Sequence, residues 1–85
     1  MDYLLILITI LTIHGYPLSR VFIHCEGQLE TGYETHPFTD SRGRFVVQVQ
    51  VGEHRCSAQK AGFQPELFTI DRNDTTIIMQ EVVQT

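Results

Sequence analysis

The sequence is poor in several kinds of residue, and each shortage excludes a class of protein. Among 85 residues there are two cysteines, three prolines and no tryptophan. Two cysteines are too few for a disulfide scaffold or for a cysteine-rich zinc site. Six Lys and Arg stand against ten Asp and Glu, which gives a net charge of −4. This shortage of positive charge argues against nucleic-acid binding, because neutralising phosphates needs a basic face.

What is present is the composition of one small globular domain. Hydrophobic residues make up 42% of the chain and charged residues 19%, which is unlike the composition of disordered segments. Domains usually have ~100–150 residues, so a chain this short holds a single core.

The longest apolar run, residues 4–13, has two interpretations. It is about half as long as a bilayer span, so no transmembrane helix is expected. Its length fits the apolar region of a secretory signal peptide, although no Lys or Arg precedes it and no small-residue cleavage site follows. A β-strand fits as well, because Ile, Leu and Thr dominate and the turn residues Gly15 and Pro17 follow. Residues 1–14 are therefore either a first strand or a leader, and residues 15–85 form the domain.

From Gly15 onward the pattern predicts short strands separated by turns. Phe45, Val47, Val49 and Val51 alternate with Val46, Gln48 and Gln50 and are expected on one buried face. Besides the N-terminal run, the predicted strands are 21–25, 33–38, 45–51, 54–59, 67–70 and 76–83, with Pro37 favouring an edge position for the second of these. Seven strands with turns every ~8–12 residues are typical of an all-β sandwich.

Two segments predict tight turns. Asp40 suits the first position of a type I turn, and Gly43 can adopt positive φ in the bulge that closes a hairpin. Gly52 marks a second turn between predicted strands. A polar turn at 71–74 separates the last two strands, and it contains Asn73 in an N-glycosylation sequon, which has meaning only in a secreted eukaryotic protein.

These segments resemble a known family. Four segments have the order and spacing of motifs in the carboxypeptidase regulatory-like domain, a transthyretin-like sandwich. They are the segment 15–18, the turn 39–45, the strand start at Gly52, and Gly62 with the phenylalanine that follows it. The resemblance runs from about residue 15 to residue 83. Two positions depart from the family's pattern, since His54 stands where tyrosine is usual and Arg20 where glycine is common.

The resemblance implies a seven-stranded Greek-key β-sandwich that has no catalytic residues and no cofactor. Such domains are accessory modules that support a neighbouring domain or make protein contacts, at the cell surface or outside the cell. The resemblance also implies that residues 5–13 form a strand inside one sheet, next to 21–25. Both faces of that strand are apolar here, so either the outer face meets another domain or protein, or the segment doubles as a leader.

The resemblance further places Cys25 and Cys56 on neighbouring strands of one sheet, with both sulfurs directed into the core. They form a disulfide if they lie opposite each other, in which case an oxidising compartment is expected. Otherwise they are two free buried cysteines that act as small hydrophobic residues. The sequence leaves both alternatives open.

No pattern predicts catalysis or a metal site. His14, His24, His36 and His54 lack the spacing of metal ligands and have no partner carboxylate. Both cysteines occupy core positions, whereas a nucleophile has to be accessible. We therefore expect neither an enzyme nor a metal protein.

A second function from another class is carbohydrate binding, because starch-binding domains share a similar sandwich. Such modules stack sugars on exposed aromatic rings, and tryptophan is absent here. The candidate rings are Tyr16, Phe22, Tyr33, Phe38, Phe63 and Phe68. Several of them occupy core-like or turn-packing positions, so this function ranks second to an interaction module.

Overall fold

A computed structural model describes residues 3–27 and 37–83, which form six β-strands in two three-stranded sheets. The strands are β1 (Tyr3–Thr12), β2 (Phe22–Cys25), β3 (Arg44–Gln50), β4 (His54–Gln59), β5 (Glu66–Ile70) and β6 (Thr75–Met79). The first sheet has the order β3-β1-β6 and the second has the order β2-β4-β5. The predicted all-β, sandwich-like architecture is confirmed. Most of the strand predicted at 33–38 lies outside the described residues.

The core lies between the two sheets and follows the two-residue period of the strands. Every second side chain of a strand points inward and is buried, while its neighbours face outward. The buried apolar residues are Ile6, Ile8, Ile10, Val21, Ile23, Cys25, Phe45, Val47, Val49, Cys56, Ala58, Ile70 and Met79. Val51 was expected among them but is exposed, because β3 ends at Gln50 and the chain turns there.

β1 lies in the middle of the first sheet, with β3 antiparallel on one side and β6 parallel on the other. The expectation that this strand pairs with residues 21–25 is wrong, because β2 belongs to the other sheet. β3 pairs with residues 3–9 on one edge of β1, and β6 pairs with residues 8–12 on the other edge. β2 instead pairs with β4, where Cys25 lies opposite Cys56.

The last predicted strand, 76–83, is also shorter than expected. β6 ends at Met79. The chain beyond it pairs with the segment after β4, where the Gln64 N–H donates to the Gln80 carbonyl at 2.9 Å and the Val82 N–H donates to the Gly62 carbonyl at 2.9 Å. This pairing carries the C-terminal segment away from the sheet and leaves Val82 exposed.

Residues 40–43 form a turn that leads into β3. The Gly43 N–H donates to the Asp40 carbonyl at 3.0 Å, and the Asp40 carboxylate accepts from the N–H groups of Arg42 at 2.8 Å and Arg44 at 2.9 Å. Gly43 has a φ of 73°. A Cβ at this position would lie 2.5 Å from the carbonyl oxygen of Ile10, so the turn packs closely against the end of β1.

Gly43→Val is expected to lower the free energy of unfolding by at least about 2 kcal/mol, because a β-branched residue is strained at positive φ and its Cβ would overlap Ile10. Urea unfolding monitored by circular dichroism measures the change. Arg42→Ala is the matched control, since Arg42 contributes its backbone N–H to the turn and its side chain is exposed. We expect this control to change stability by less than about 0.5 kcal/mol. Equal effects of the two variants would contradict the turn geometry.

The same turn makes part of the stability depend on pH. Hydrogen bonds from the backbone N–H groups of Arg44 and Arg42 hold the pKa of Asp40 below its ordinary value. Because the folded pKa lies below the unfolded one, the ionised carboxylate stabilises the fold above about pH 4, and this contribution is lost as the pH falls through the folded pKa. Asp40→Asn keeps an oxygen acceptor but removes the charge.

The stability difference between the wild type and Asp40→Asn should therefore be constant from about pH 7 to pH 5 and should shrink below about pH 4. Thermal melts across this range measure the difference. A difference that does not change with pH would show that the charge of Asp40 does not stabilise the turn.

Candidate interaction surfaces

Cys25 and Cys56 form a disulfide that joins β2 to β4. The two residues lie directly opposite each other in the antiparallel register, with their Cα atoms 4.0 Å apart. Both side chains are buried in the core. Disulfides persist in oxidising compartments, so this bridge points to an extracytoplasmic environment.

The outward side of the first sheet carries exposed apolar side chains among polar ones, and we call it the first-sheet face. Its apolar side chains are Leu5, Leu7 and Leu11 of β1, Val46 of β3 and Ile78 of β6. Its polar side chains include Gln48, which lies opposite Leu5, and a row across the three strands formed by Arg44, Thr9 and Thr76. Val46 lies opposite Leu7, and Ile78 lies opposite Leu11. Leu5 is 71% exposed, Val46 55% and Ile78 46%. The polar row divides these apolar side chains into two clusters, and exposed apolar surface of this kind marks an interaction site or an aggregation-prone patch.

The outward side of the second sheet is more polar. Across its middle, His24, Ser57 and Leu67 stand side by side on β2, β4 and β5, beside a cleft of about 480 Å³ that Arg55 and Thr69 also line. Leu67 is 83% exposed but has no apolar neighbour in this row.

Three of the aromatic candidates meet at one end of the second sheet, in what we call the phenylalanine groove. Phe22 comes from β2, Phe38 from the segment beside it, and Phe63 from the turn after β4. The rings of Phe22 and Phe38 have centroids 5.8 Å apart and planes inclined by 68°. The groove has a volume of about 600 Å³, and Arg20 and Lys60 also line it.

Thr39, the first residue of the 39–45 turn, joins the segment beside the groove to residues 18–21. Its buried hydroxyl accepts from the Val21 N–H at 3.0 Å and donates to the Leu18 carbonyl at 2.8 Å. Its carbonyl accepts from the Arg20 N–H at 3.0 Å. These bonds fix Arg20 at a φ of 59°, and the other positive-φ residues in the described ranges are all glycines.

Phe63 also borders a second cleft of about 330 Å³ near the C-terminal segment, where Tyr16 lies. Phe68 packs against the core, as Phe63 does. Tyr33 is outside the described residues. The five rings that lie within the described residues therefore do not form one stacking surface.

The other singled-out residues lie in turns. Gly15 and Pro17 follow β1, Gly52 lies between β3 and β4, and Gly62 follows β4. Asn73 is exposed between β5 and β6, where its carbonyl accepts from the Thr75 hydroxyl at 3.2 Å. The neighbouring Asp74 carboxylate accepts from the Leu7 N–H of β1 at 2.9 Å.

The three histidines within the described ranges do not converge. Nε2 of His54 lies 2.8 Å from the Gln50 carbonyl oxygen, whereas His14 and His24 are exposed at other places and His36 is outside the described residues. Within residues 3–27 and 37–83, no group of three or more His, Cys, Asp or Glu residues is arranged to hold a metal ion. The same ranges contain no helix that is long and apolar enough to span a membrane.

Comparison with protein-family models gave no match to this chain, and comparison with curated protein sequences gave none either.

Proposed function

We propose that this chain is a non-catalytic β-sandwich accessory module that contacts another domain or protein through the first-sheet face, in a secreted or cell-surface setting. The observation that carries the proposal is the chemistry of β1, whose outward side chains are as apolar as its inward ones. A strand with one solvated face would alternate apolar and polar residues. The outward leucines therefore favour a face that is covered in the working assembly.

The side chains on the first-sheet face indicate what kind of partner surface would fit it. Arg44 and Thr9 lie opposite each other on it, and the three strands contribute no Asp or Glu to it. At ~3.3 Å per residue, the outward leucines of β1 form a stripe about 20 Å long from Leu5 to Leu11, with Thr9 between Leu7 and Leu11. A partner with a long apolar surface and little charge, such as the outer face of another sheet, fits this stripe.

The seven-stranded Greek key of the carboxypeptidase regulatory-like domain belongs to the same proposal. Its seventh strand would be the one predicted at 33–38, whose described residues Pro37 and Phe38 lie beside the edge of β2 that faces away from β4. The described end of that segment supports this. The Ile23 N–H donates to the Pro37 carbonyl at 2.9 Å, and the Thr39 N–H donates to the Val21 carbonyl at 2.9 Å.

The proposal is tested by placing a charge on one face at a time. Val46→Lys on the first-sheet face should release the tagged chain from its native assembly, because a buried unpaired lysine is costly, so the chain elutes at monomer size on gel filtration of native extracts. Leu67→Lys is the matched control on the other sheet and should stay in the assembly. Melting of both purified variants checks that they fold.

Three outcomes would contradict the proposal. The wild type could elute as a monomer in native extracts, or Val46→Lys could stay in the assembly, or both lysine variants could leave it equally. If purified wild type alone forms the assembly, a second copy of this chain is the protein that covers the face.

Carbohydrate binding is the second candidate function, and the phenylalanine groove is the observation that favours it. Sugars stack on exposed rings, and Phe22 and Phe38 are both exposed. Calorimetric titration with maltoheptaose tests this function. Heat that saturates in the wild type and is lost in Phe38→Ala would support it, and the absence of saturable heat would exclude this class of sugar.

A further inference from the structure

We infer that the phenylalanine groove is a binding site for an extended polypeptide segment in which an acidic residue stands next to apolar ones. This site belongs to the second sheet and does not depend on the first-sheet face. Its three phenylalanines would hold the apolar side chains, and Arg20 and Lys60 would hold the carboxylate.

Charge complementarity identifies the acidic part of the ligand. The chain as a whole carries a net charge of −4 and has only six Lys and Arg. Two of those six line this groove, and the described residues that line it include no Asp or Glu. Two neighbouring cations on an otherwise acidic protein attract an anion. Because phenylalanines line the same groove, the anion that fits it best is a carboxylate next to an apolar side chain.

Ring geometry favours a peptide over a sugar. Sugar stacking uses the open flat face of an aromatic ring, whereas the Phe22 and Phe38 rings meet at 68° and form an edge-to-face corner. Such a corner surrounds a leucine or phenylalanine side chain on two sides. Both rings remain exposed, so the groove is open along its length and suits a segment of chain rather than an enclosed small molecule.

Arg20 supplies an independent observation. It has a φ of 59°, a conformation that costs stability in any residue with a Cβ. Its N–H is bonded to Thr39, one residue away from Phe38. Glycine at this position would relieve the strain and keep the hydrogen bond, but it would remove the guanidinium from the groove. Strain of this kind is typical of a residue whose side chain has a function.

The test uses the fact that glycine at position 20 should raise the stability of the fold but weaken peptide binding. The probe is an array of short acetylated and amidated peptides that contain one glutamate with varied flanking residues, each beside its glutamine counterpart. Peptides with leucine or phenylalanine next to the glutamate should bind, and their glutamine counterparts should bind roughly tenfold more weakly, because charge-assisted hydrogen bonds are lost. Binding should also weaken as NaCl is raised.

Variants then locate the site. Arg20→Gly should raise the melting temperature and weaken the selected peptide roughly tenfold, a combination that damage to the fold does not produce. Lys60→Gln should weaken binding without changing the melting temperature. Arg72→Gln, which removes an exposed cation from the distant 71–74 turn, should change neither.

Several results would overturn the inference. One is an array in which no glutamate peptide binds more tightly than its glutamine counterpart. Another is peptide binding by Arg20→Gly and Lys60→Gln that is as tight as binding by the wild type. The third is saturable binding of an oligoglucuronate while no peptide binds. Val46→Lys should bind the selected peptide normally, and Arg20→Gly should stay in the native assembly, so failure of one proposal is distinguishable from failure of the other.

Discussion

Deletion of residues 1–14 should leave a chain that does not fold. The deletion removes β1, the middle strand of the first sheet, and with it the pairing partner of both β3 and β6. It also removes Ile6, Ile8 and Ile10, all fully buried. Each such side chain contributes ~1.5–3 kcal/mol, so the loss is comparable with the ~5–15 kcal/mol of stability that a whole domain has. Circular dichroism and thermal melting measure the outcome.

Point variants on the two faces of β1 provide the control. Ile8→Ala should cost about 2–5 kcal/mol because it leaves a cavity in the core. Leu5→Ala should cost less than about 0.5 kcal/mol, because Leu5 faces outward. If the truncated chain instead melted in one sharp transition, β1 would be dispensable, and residues 1–14 would be better explained as a leader.

Reduction of the Cys25–Cys56 disulfide is the second change with a large expected effect. The bridge joins residues separated by 31 positions. In the chain-entropy model, a closed loop of this size stabilises the fold by ~3–4 kcal/mol. Urea unfolding with and without a reductant should show a loss of this order.

The double variant Cys25→Ala/Cys56→Ala provides the matched control for that experiment. It should be less stable than the oxidised wild type, and addition of the reductant should not change its stability further. A wild type that unfolds at the same urea concentration in both conditions would contradict a stabilising bridge.

The sequence was most informative where one face of a strand is polar. In β3, the alternation of Phe45, Val47 and Val49 with outward residues identified the buried face, since only one register buries all three. The turn at Asp40 and Gly43 was also predictable, because its chemistry is local and each residue has a stated backbone role.

The position of β1 could not be predicted in this way. Both of its faces are apolar, so periodicity indicates neither which side is buried nor which strands lie beside it. The resemblance supplied a neighbour, and that neighbour was wrong. Pairing with β3 and β6 depends on contacts between residues far apart in the chain, such as Leu11 with Ile78.

The phenylalanine groove could not be predicted from the sequence for a related reason. Phe22, Phe38 and Phe63 come from three separate segments, and nothing in their spacing predicts that they meet. At Arg20 the sequence shows only a departure from the glycine that is common there in the resembled family. Its positive φ, set by hydrogen bonding to Thr39, gives that departure a physical meaning.

The claim that the first-sheet face is covered in the working assembly is tested most directly by carbene footprinting. The chain is labelled within its native assembly and again as the purified monomer, and labelling is compared residue by residue. We predict strong protection of Leu5, Val46 and Ile78 in the assembly, with Leu67 on the other sheet labelled equally in both states. Equal labelling of the first-sheet face in the two states would contradict the account.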